Sequence, residues 1–492
     1  MAMRPRAAGL TGALDEAGLL IRGSLARVLA YAASSLLAVL STAVITRHLG
    51  VSTFGQYATV ISVSTLVATV TDAGMTSIAN RDYAVLDGER REALLGSLLG
   101  LRMFLTVIGT AFAIGFALVA HYDTALVLGM LVASMSTFPL IVYHTLSVPL
   151  TNELRLGTLA LLEFARQAVW VAAVVTLAAL GAGVVALLAT MVLANLLMVP
   201  AAMRATRGGR ISLRMRRSGW RALAGRTVAF SVATATGTVY LYGTQMMTAL
   251  VTNHYQTGLF AVSFRVFIVL GAVPALVAAG TVPVLARASQ NDDGQLAYVL
   301  RRYLETSLIG GIALALFISA GSGLIIGLVA GARFHGAVAV LELQAFAMIA
   351  TFTASACGFG LLALHLYRRL LVANATALVV MIVATVLLAG RYGAQGAAAA
   401  SICGEATVAA LMLAGILRAR RECHPGKRFA VKLCLASACA APLVIERWLA
   451  SPVRAVAVAA VYAGVVLATR ALPGEVLDAL PLRRRPAGTG SG

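Results

Sequence analysis

Ionisable side chains set inside long apolar stretches are where this sequence concentrates its chemistry. A charge at the centre of a bilayer-length apolar helix costs about 2.5–3.5 kcal/mol on insertion scales, so each one implies a partner, a ligand or a proton. Arg265 lies among Phe264, Val266 and Phe267, roughly 10 Å of helical rise into its apolar stretch. Its planar guanidinium suits the paired oxygens of a phosphate; near an outer interface it would instead snorkel towards water. Arg27 and Arg47 bracket the first stretch, each an anion contact or a flanking charge. Asp72 ends the second stretch and suits pairing with an arginine, carrying a coupling proton, or simply closing a helix. Glu163 and Arg166 stand i, i+3 and share a helix face, as an internal ion pair or as half of a site. Glu405, between Cys403 and Thr407, has no cation close in sequence, and a carboxyl so placed is a candidate proton carrier. Tyr240, Tyr242 and Gln245 form a polar stripe that reads equally as ligand contact or as packed core.

Other chemistries lack their residues. The five cysteines show no metal-ligand spacing, and Cys423-His424 reads as a loop thiol beside a lone histidine. The seven histidines (48, 121, 144, 254, 335, 365 and 424) are scattered singly, whereas acid–base catalysis needs positioned groups in one accessible place. No Gly-rich phosphate loop opens a helix, and Asn291-Asp292-Asp293-Gly294 reads as a solvated turn. No enzyme activity, cofactor or metal is expected.

The elements that must position these residues follow from composition. Of 492 residues, 60% are apolar and 12% charged, with a mean hydropathy of +0.89. Soluble chains run about 45–50% apolar and about 25% charged; so few charges cannot coat a water-facing surface. About 20 apolar residues span a bilayer, and that ruler yields fourteen stretches: 24–46, 54–75, 95–118, 125–148, 158–180, 183–203, 228–251, 259–284, 306–328, 338–363, 371–390, 395–417, 429–446 and 453–471. The turns Gly181-Ala182-Gly183 and Arg391 to Gly396 predict two tight helical hairpins. Gly96 and Gly100 make a small-xxx-small pattern that suits helix contact. The first stretch is too long for a signal-peptide core and is expected to remain as an anchor.

A net charge of +20 would suit nucleic acid, but its distribution argues otherwise. With the N-terminus inside, thirty-two of the thirty-nine basic residues fall on the cytoplasmic side, Arg102 counted among them as a flank charge. Arg47, Arg333, Arg391, Arg447 and Arg454 fall outside. This is the asymmetry of the positive-inside rule, and it predicts fourteen helices with both termini cytoplasmic. The run Arg204 to Arg226 holds eight arginines and no acid, read as a linker on an anionic leaflet or as a lid or partner contact.

That linker divides the helices into six, six and two. Gly55-Gln56-Tyr57-Ala58 and Gly258-Leu259-Phe260-Ala261 echo one another at helix entrances, as a repeat about an axis along the membrane normal would require. The expected organisation is a cytoplasmic lead 1–23, a first lobe 24–203, the linker 204–227 and a second lobe 228–417. A basic loop 418–428, a terminal helix pair 429–471 and a disordered cytoplasmic tail 472–492 complete it.

The segment from Leu49-Gly50 through Phe54-Gly55-Gln56-Tyr57-Ala58 to Asp72, Gly74 and Arg81 resembles the N-terminal signature of a known family. So does Thr257-Gly258-Leu259-Phe260-Ala261 through Arg265 to Pro283 and Arg287, although Phe260 stands where a Tyr is usual. The family is the polysaccharide-exporter, or O-antigen-flippase, branch of the multidrug/oligosaccharidyl-lipid/polysaccharide (MOP) superfamily. The resemblance implies a two-lobed all-α bundle around a central cavity, multi-pass in the inner or plasma membrane. It implies translocation of a polyprenyl-diphosphate-linked oligosaccharide between leaflets by alternating access, driven by an ion gradient or potential. The diphosphate would then engage Arg265, Arg47 or Arg27, and sugars would engage Tyr240, Tyr242 and Gln245. Asp72, Glu405, Glu163 and Arg166 would serve coupling or pairing. Membrane lipids, and a polymerase and glycosyltransferases of the same pathway, are the expected partners; nucleic acid is not. Two alternatives stay open: a cation-coupled drug-efflux antiporter of the same superfamily, and an integral-membrane polymerase or glycosyltransferase.

Overall fold

Helix runs through all fourteen apolar stretches over their described parts, and no strand occurs among the described residues. The physical reason is that lipid offers no hydrogen bonds, so a spanning backbone must satisfy itself within the segment. The structure, a computed structural model, describes residues 8–72, 74–206, 220–274, 293–446 and 448–472. Ten helical stretches among these residues are long and apolar enough to cross a membrane. The chain is an all-α integral membrane protein made of two compact units, Met1–Leu250 and Val251–Gly492.

The first unit opens with α1, Ala8–Asp72, 65 residues long, about 100 Å if it were straight. It is not straight: Gly50 sits at φ 73°, ψ 178°, a backbone conformation essentially confined to glycine. The bend falls between the first two apolar stretches. There follow α2 (Met75–Val85), α3 (Gly88–Val119), α4 (Thr124–Met135), α5 (Thr137–Asn152), α6 (Leu156–Ala179), α7 (Val184–Ala205) and α8 (Trp220–Val251). The fourth apolar stretch is thus two helices, broken at Ser136. The break is stabilised from α7, where Asn195 Nδ2 donates to the Ser136 carbonyl at 3.0 Å. A cluster of Met75, Ala79, Leu95, Leu98, Leu101 and Val148 packs α2, α3 and α5 together. Gly96 and Gly100 are buried on α3.

The second unit holds α9 (His254–Gly271), α10 (Asp293–Val329), α11 (Ala337–Gln344), α12 (Ala347–Ala363), α13 (Tyr367–Ala384), α14 (Gly390–Ala419), α15 (Lys427–Ile445) and α16 (Ser451–Ala468). The tenth apolar stretch, 338–363, is also split, at Ala345–Phe346 between α11 and α12. The echoing triplets are buried in their own units: Gly55, Tyr57 and Ala58 in one, Gly258, Phe260 and Ala261 in the other. The predicted turn at 391–396 is built from a π-helical segment, Thr385–Ala389, followed by Gly393 at φ 59°. Gln256 of α9 accepts from the Ala394 amide there at 2.9 Å.

The terminal pair α15 and α16 packs on α10 through Ala436, Ala440, Ala455, Val458 and Tyr462. Small residues let helices approach closely where no hydrophobic drive exists between them. Polar contacts fix the register: Tyr462 donates to the Ile309 carbonyl at 3.1 Å and Arg454 Nε to the Ala320 carbonyl at 2.9 Å.

Candidate functional site

In the first unit, the Asp72 carboxylate meets the Arg102 guanidinium of α3 at 2.7 Å. Thr76 bridges them, donating to Asp72 at 2.7 Å and accepting from Arg102 at 3.3 Å. Arg102 is only 2% exposed and its Nε has no partner. The guanidinium that the sequence assigned to a cytoplasmic flank is therefore inside the protein. It lies inside the apolar run 95–118, on a helix antiparallel to the one that ends at Asp72, which brings both groups to one depth.

Glu163 and Arg166 of α6 form an ion pair. Arg166 also donates to Asn195 Oδ1 at 3.3 Å, so the pair is linked to the break at Ser136. Tyr143 and His144 of α5 lie against this network; His144 is within electrostatic reach of Asp72, Arg102, Glu163 and Arg166. The first unit thus holds two ion pairs, Asp72–Arg102 and Glu163–Arg166, with His144 within reach of both. Gln245 of α8 donates to the Ala58 carbonyl at 3.2 Å and is buried, as is Tyr240; Tyr242 is half-buried. Arg47 is exposed and engaged by another group. The Arg27 side chain lies outside the described residues, as do Pro283, Arg287, Asn291 and Asp292 and most of the basic linker.

In the second unit, Glu405 is buried on α14 and accepts from Thr351 of α12 at 2.9 Å. Ser263 of α9 donates to Gln344 at 2.5 Å at the α11–α12 break. Arg454, another arginine read from sequence as an outer flank, is buried. Besides the Ala320 carbonyl and the Glu446 carbonyl at 3.3 Å, it faces Glu342 at 3.8 Å, which also accepts from Ser322 at 3.2 Å.

Arg265 differs from these arginines. Arg102, Arg166 and Arg454 each have a carboxylate, whereas Arg265 has no hydrogen-bond or ion-pair partner among the described residues. It is half-buried on α9, on the stripe that continues through Ile268, Val269 and Ala272 to Val273, while Phe260, Phe264 and Phe267 are buried. Val273 and Pro274 form one wall of an open apolar cavity of about 450 Å³, lined also by Ser307, Gly310 and Phe317 of α10, Phe352 of α12 and Ala459 of α16. A cation on α9 and an apolar pocket that begins just beyond the end of that helix therefore lie on one side of it. No group of metal-ligating side chains occurs among the described residues.

Residues 44–339 match the family model described as "Polysaccharide biosynthesis protein". No curated protein matches the sequence. Among solved structures, "Lipid II flippase MurJ, inward closed conformation" aligns with a TM-score of 0.74 at 12% identity, over 92% of this chain and 99% of that one. An inward-facing multidrug resistance MATE family transporter of the MOP superfamily aligns at 0.64 and 14% identity, over 81% and 98%. A MOP superfamily transporter from Pyrococcus furiosus aligns at 0.55 and 14% identity, over 81% and 95%. At these identities the likeness is one of fold. The family match extends over more than half of the chain: it belongs to the polysaccharide biosynthesis protein family and is built on the fold of the MOP superfamily.

Proposed function

We propose that the chain is a flippase that moves a polyprenyl-diphosphate-linked oligosaccharide from the inner to the outer leaflet of the cell membrane. Transport proceeds by alternating access and is coupled to an ion gradient or membrane potential. The chain crosses fourteen times with both termini cytoplasmic. The observation that carries this reading is Arg265, a half-buried cation without a counterion among the described residues, on the helix that leads to an apolar cavity. Such a pair of environments suits an amphiphile with an anionic head: the guanidinium takes phosphate oxygens bidentately, and the cavity takes part of a prenyl chain. MurJ, which shares the fold, is a lipid II flippase, and that likeness supports a lipid-linked substrate. An efflux pump for cationic drugs asks for free carboxylates instead. Glu163 and Glu405 are both engaged by internal partners, and a free guanidinium repels a cation.

The test is reconstitution in liposomes with a fluorescent polyprenyl-diphosphate oligosaccharide. Loss of one charge-assisted hydrogen-bonding group costs about 1.5–3 kcal/mol, so Arg265→Ala should weaken binding by about tenfold to a hundredfold at unchanged helicity. Unchanged transport by a well-folded variant would remove Arg265 from the site.

A further inference from the structure

Uncompensated cations also gather at one end of the second unit, away from Arg265. Arg301 and Arg302 of α10 share the buried Glu305 at 3.0 and 2.9 Å. Arg301 lies against Gly426 at the start of α15, and Arg369 of α13 donates to the Gly415 carbonyl near the end of α14. These contacts bring the ends of α10, α13, α14 and α15 together. Around them Arg368, Arg418, Arg421, Lys427 and Arg428 are all exposed, and none has an ion-pair or hydrogen-bond partner among the described residues. The nearest free carboxylate in sequence is the single Glu422.

What lies beneath these cations is apolar and outward-facing. Lys427, Val431 and Leu435 follow at i, i+4 and i+8 on one face of α15, with Val431 68% and Leu435 51% exposed. Arg368 stands likewise above Val372, Val379 and Val383 on α13, all more than half exposed. On both helices a cation caps an apolar stripe that lipid must cover. We propose that this corner is a binding site for anionic phospholipid, with phosphodiester headgroups on the Arg368, Arg418, Arg421, Lys427 and Arg428 cluster and acyl chains along the α13 and α15 stripes. A free phosphate would satisfy the cations but leave the stripes bare, which is why the occupant is a lipid. The site holds whether or not the transport reading does.

The experiment uses the full chain in phosphatidylcholine nanodiscs doped with phosphatidylglycerol, with bound lipid counted by native mass spectrometry after release. Near a surface each basic residue contributes about 1 kcal/mol to anionic-lipid attraction, so R418Q/R421Q/R428Q should lower phosphatidylglycerol retention by at least about tenfold. A control of equal charge loss in the first unit, R81Q/R90Q/R91Q, should retain it, and circular dichroism should report equal helicity for all three proteins. Glycerophosphate should not displace the retained lipid from wild type. Equal loss in both variants would mean a general charge effect, displacement by glycerophosphate would mean an anion site without lipid, and full retention by R418Q/R421Q/R428Q would mean no site; each overturns the proposal.

Discussion

Neutralising Asp72 is the sharpest perturbation of the first unit's interior. Asp72→Asn preserves shape and leaves Thr76 a polar neighbour, but strips the Arg102 guanidinium of its counterion. Because Arg102 is 2% exposed and its Nε is already unpartnered, water cannot replace the lost charge. Breaking a buried ion pair from one side costs about 3–5 kcal/mol. Asp72 itself is 33% exposed, which places the expected cost at the lower end, about 3 kcal/mol. For a unit of this size that is roughly 6–12 °C in melting temperature. Arg102→Met should cost less, since the remaining carboxylate reaches water and keeps the Thr76 hydroxyl at 2.7 Å. The double variant, with neither charge, should be more stable than Asp72→Asn alone, with a coupling energy of about 2 kcal/mol. The assay is thermal unfolding in detergent, followed by the fluorescence of the buried Trp170. Single variants whose costs simply add, each under about 0.5 kcal/mol, would refute the reasoning.

Three further outcomes follow from named contacts. Gly396→Ala should cost ~1–3 kcal/mol or more, because a Cβ there would stand 2.0 Å from the Leu388 carbonyl oxygen, a backbone atom that cannot rotate away; low yield and an early thermal transition would register it. Arg454→Met should loosen the terminal helices from α10, since it removes the bond to the Ala320 carbonyl and the contact with Glu342; a cysteine introduced at Val458 should become reactive to a membrane-permeant thiol reagent, with Cys357, Cys403, Cys423, Cys434 and Cys439 replaced beforehand. Asn195→Leu should leave the Ser136 carbonyl without its side-chain donor and Arg166 with Glu163 alone, lowering stability by about 1–3 kcal/mol, with amide exchange rising first between α4 and α5.

Hydropathy made the helices legible because burial in lipid is a one-dimensional property: a residue's type and its neighbours in sequence decide it. The Glu163–Arg166 contact was legible for the same reason, being one turn apart on one helix. Arg102 and Arg454 were not, and both were placed on flanks by charge alone. Their partners come from other helices, Asp72 thirty residues before one and Glu342 more than a hundred before the other, and only packing brings these together. The signal for Arg102 was present in its position inside an apolar run, with Asp72 at matching depth on the preceding helix. The break at Ser136 has a local signal in Ser134, Thr137 and Pro139, and that at Ala345–Phe346 follows Glu342 and Gln344, but hydropathy averaged over a bilayer length passes over both. Gly393 lies in the turn that the sequence predicts at 391–396 and Gly50 falls between the first two apolar stretches, but whether a chain bends or stops at a glycine is decided by what packs around it. Arg265 was legible as a cation in an apolar stretch; that it lacks a counterion among the described residues while Arg166 has one required the structure.

The most direct test of the central claim is the sidedness of the lipid-linked oligosaccharide in cells without this protein. Flippase activity predicts its accumulation on the inner leaflet, reversed by the intact gene and not by an Arg265→Ala variant expressed to the same level. Normal sidedness in cells holding no second flippase would contradict the claim.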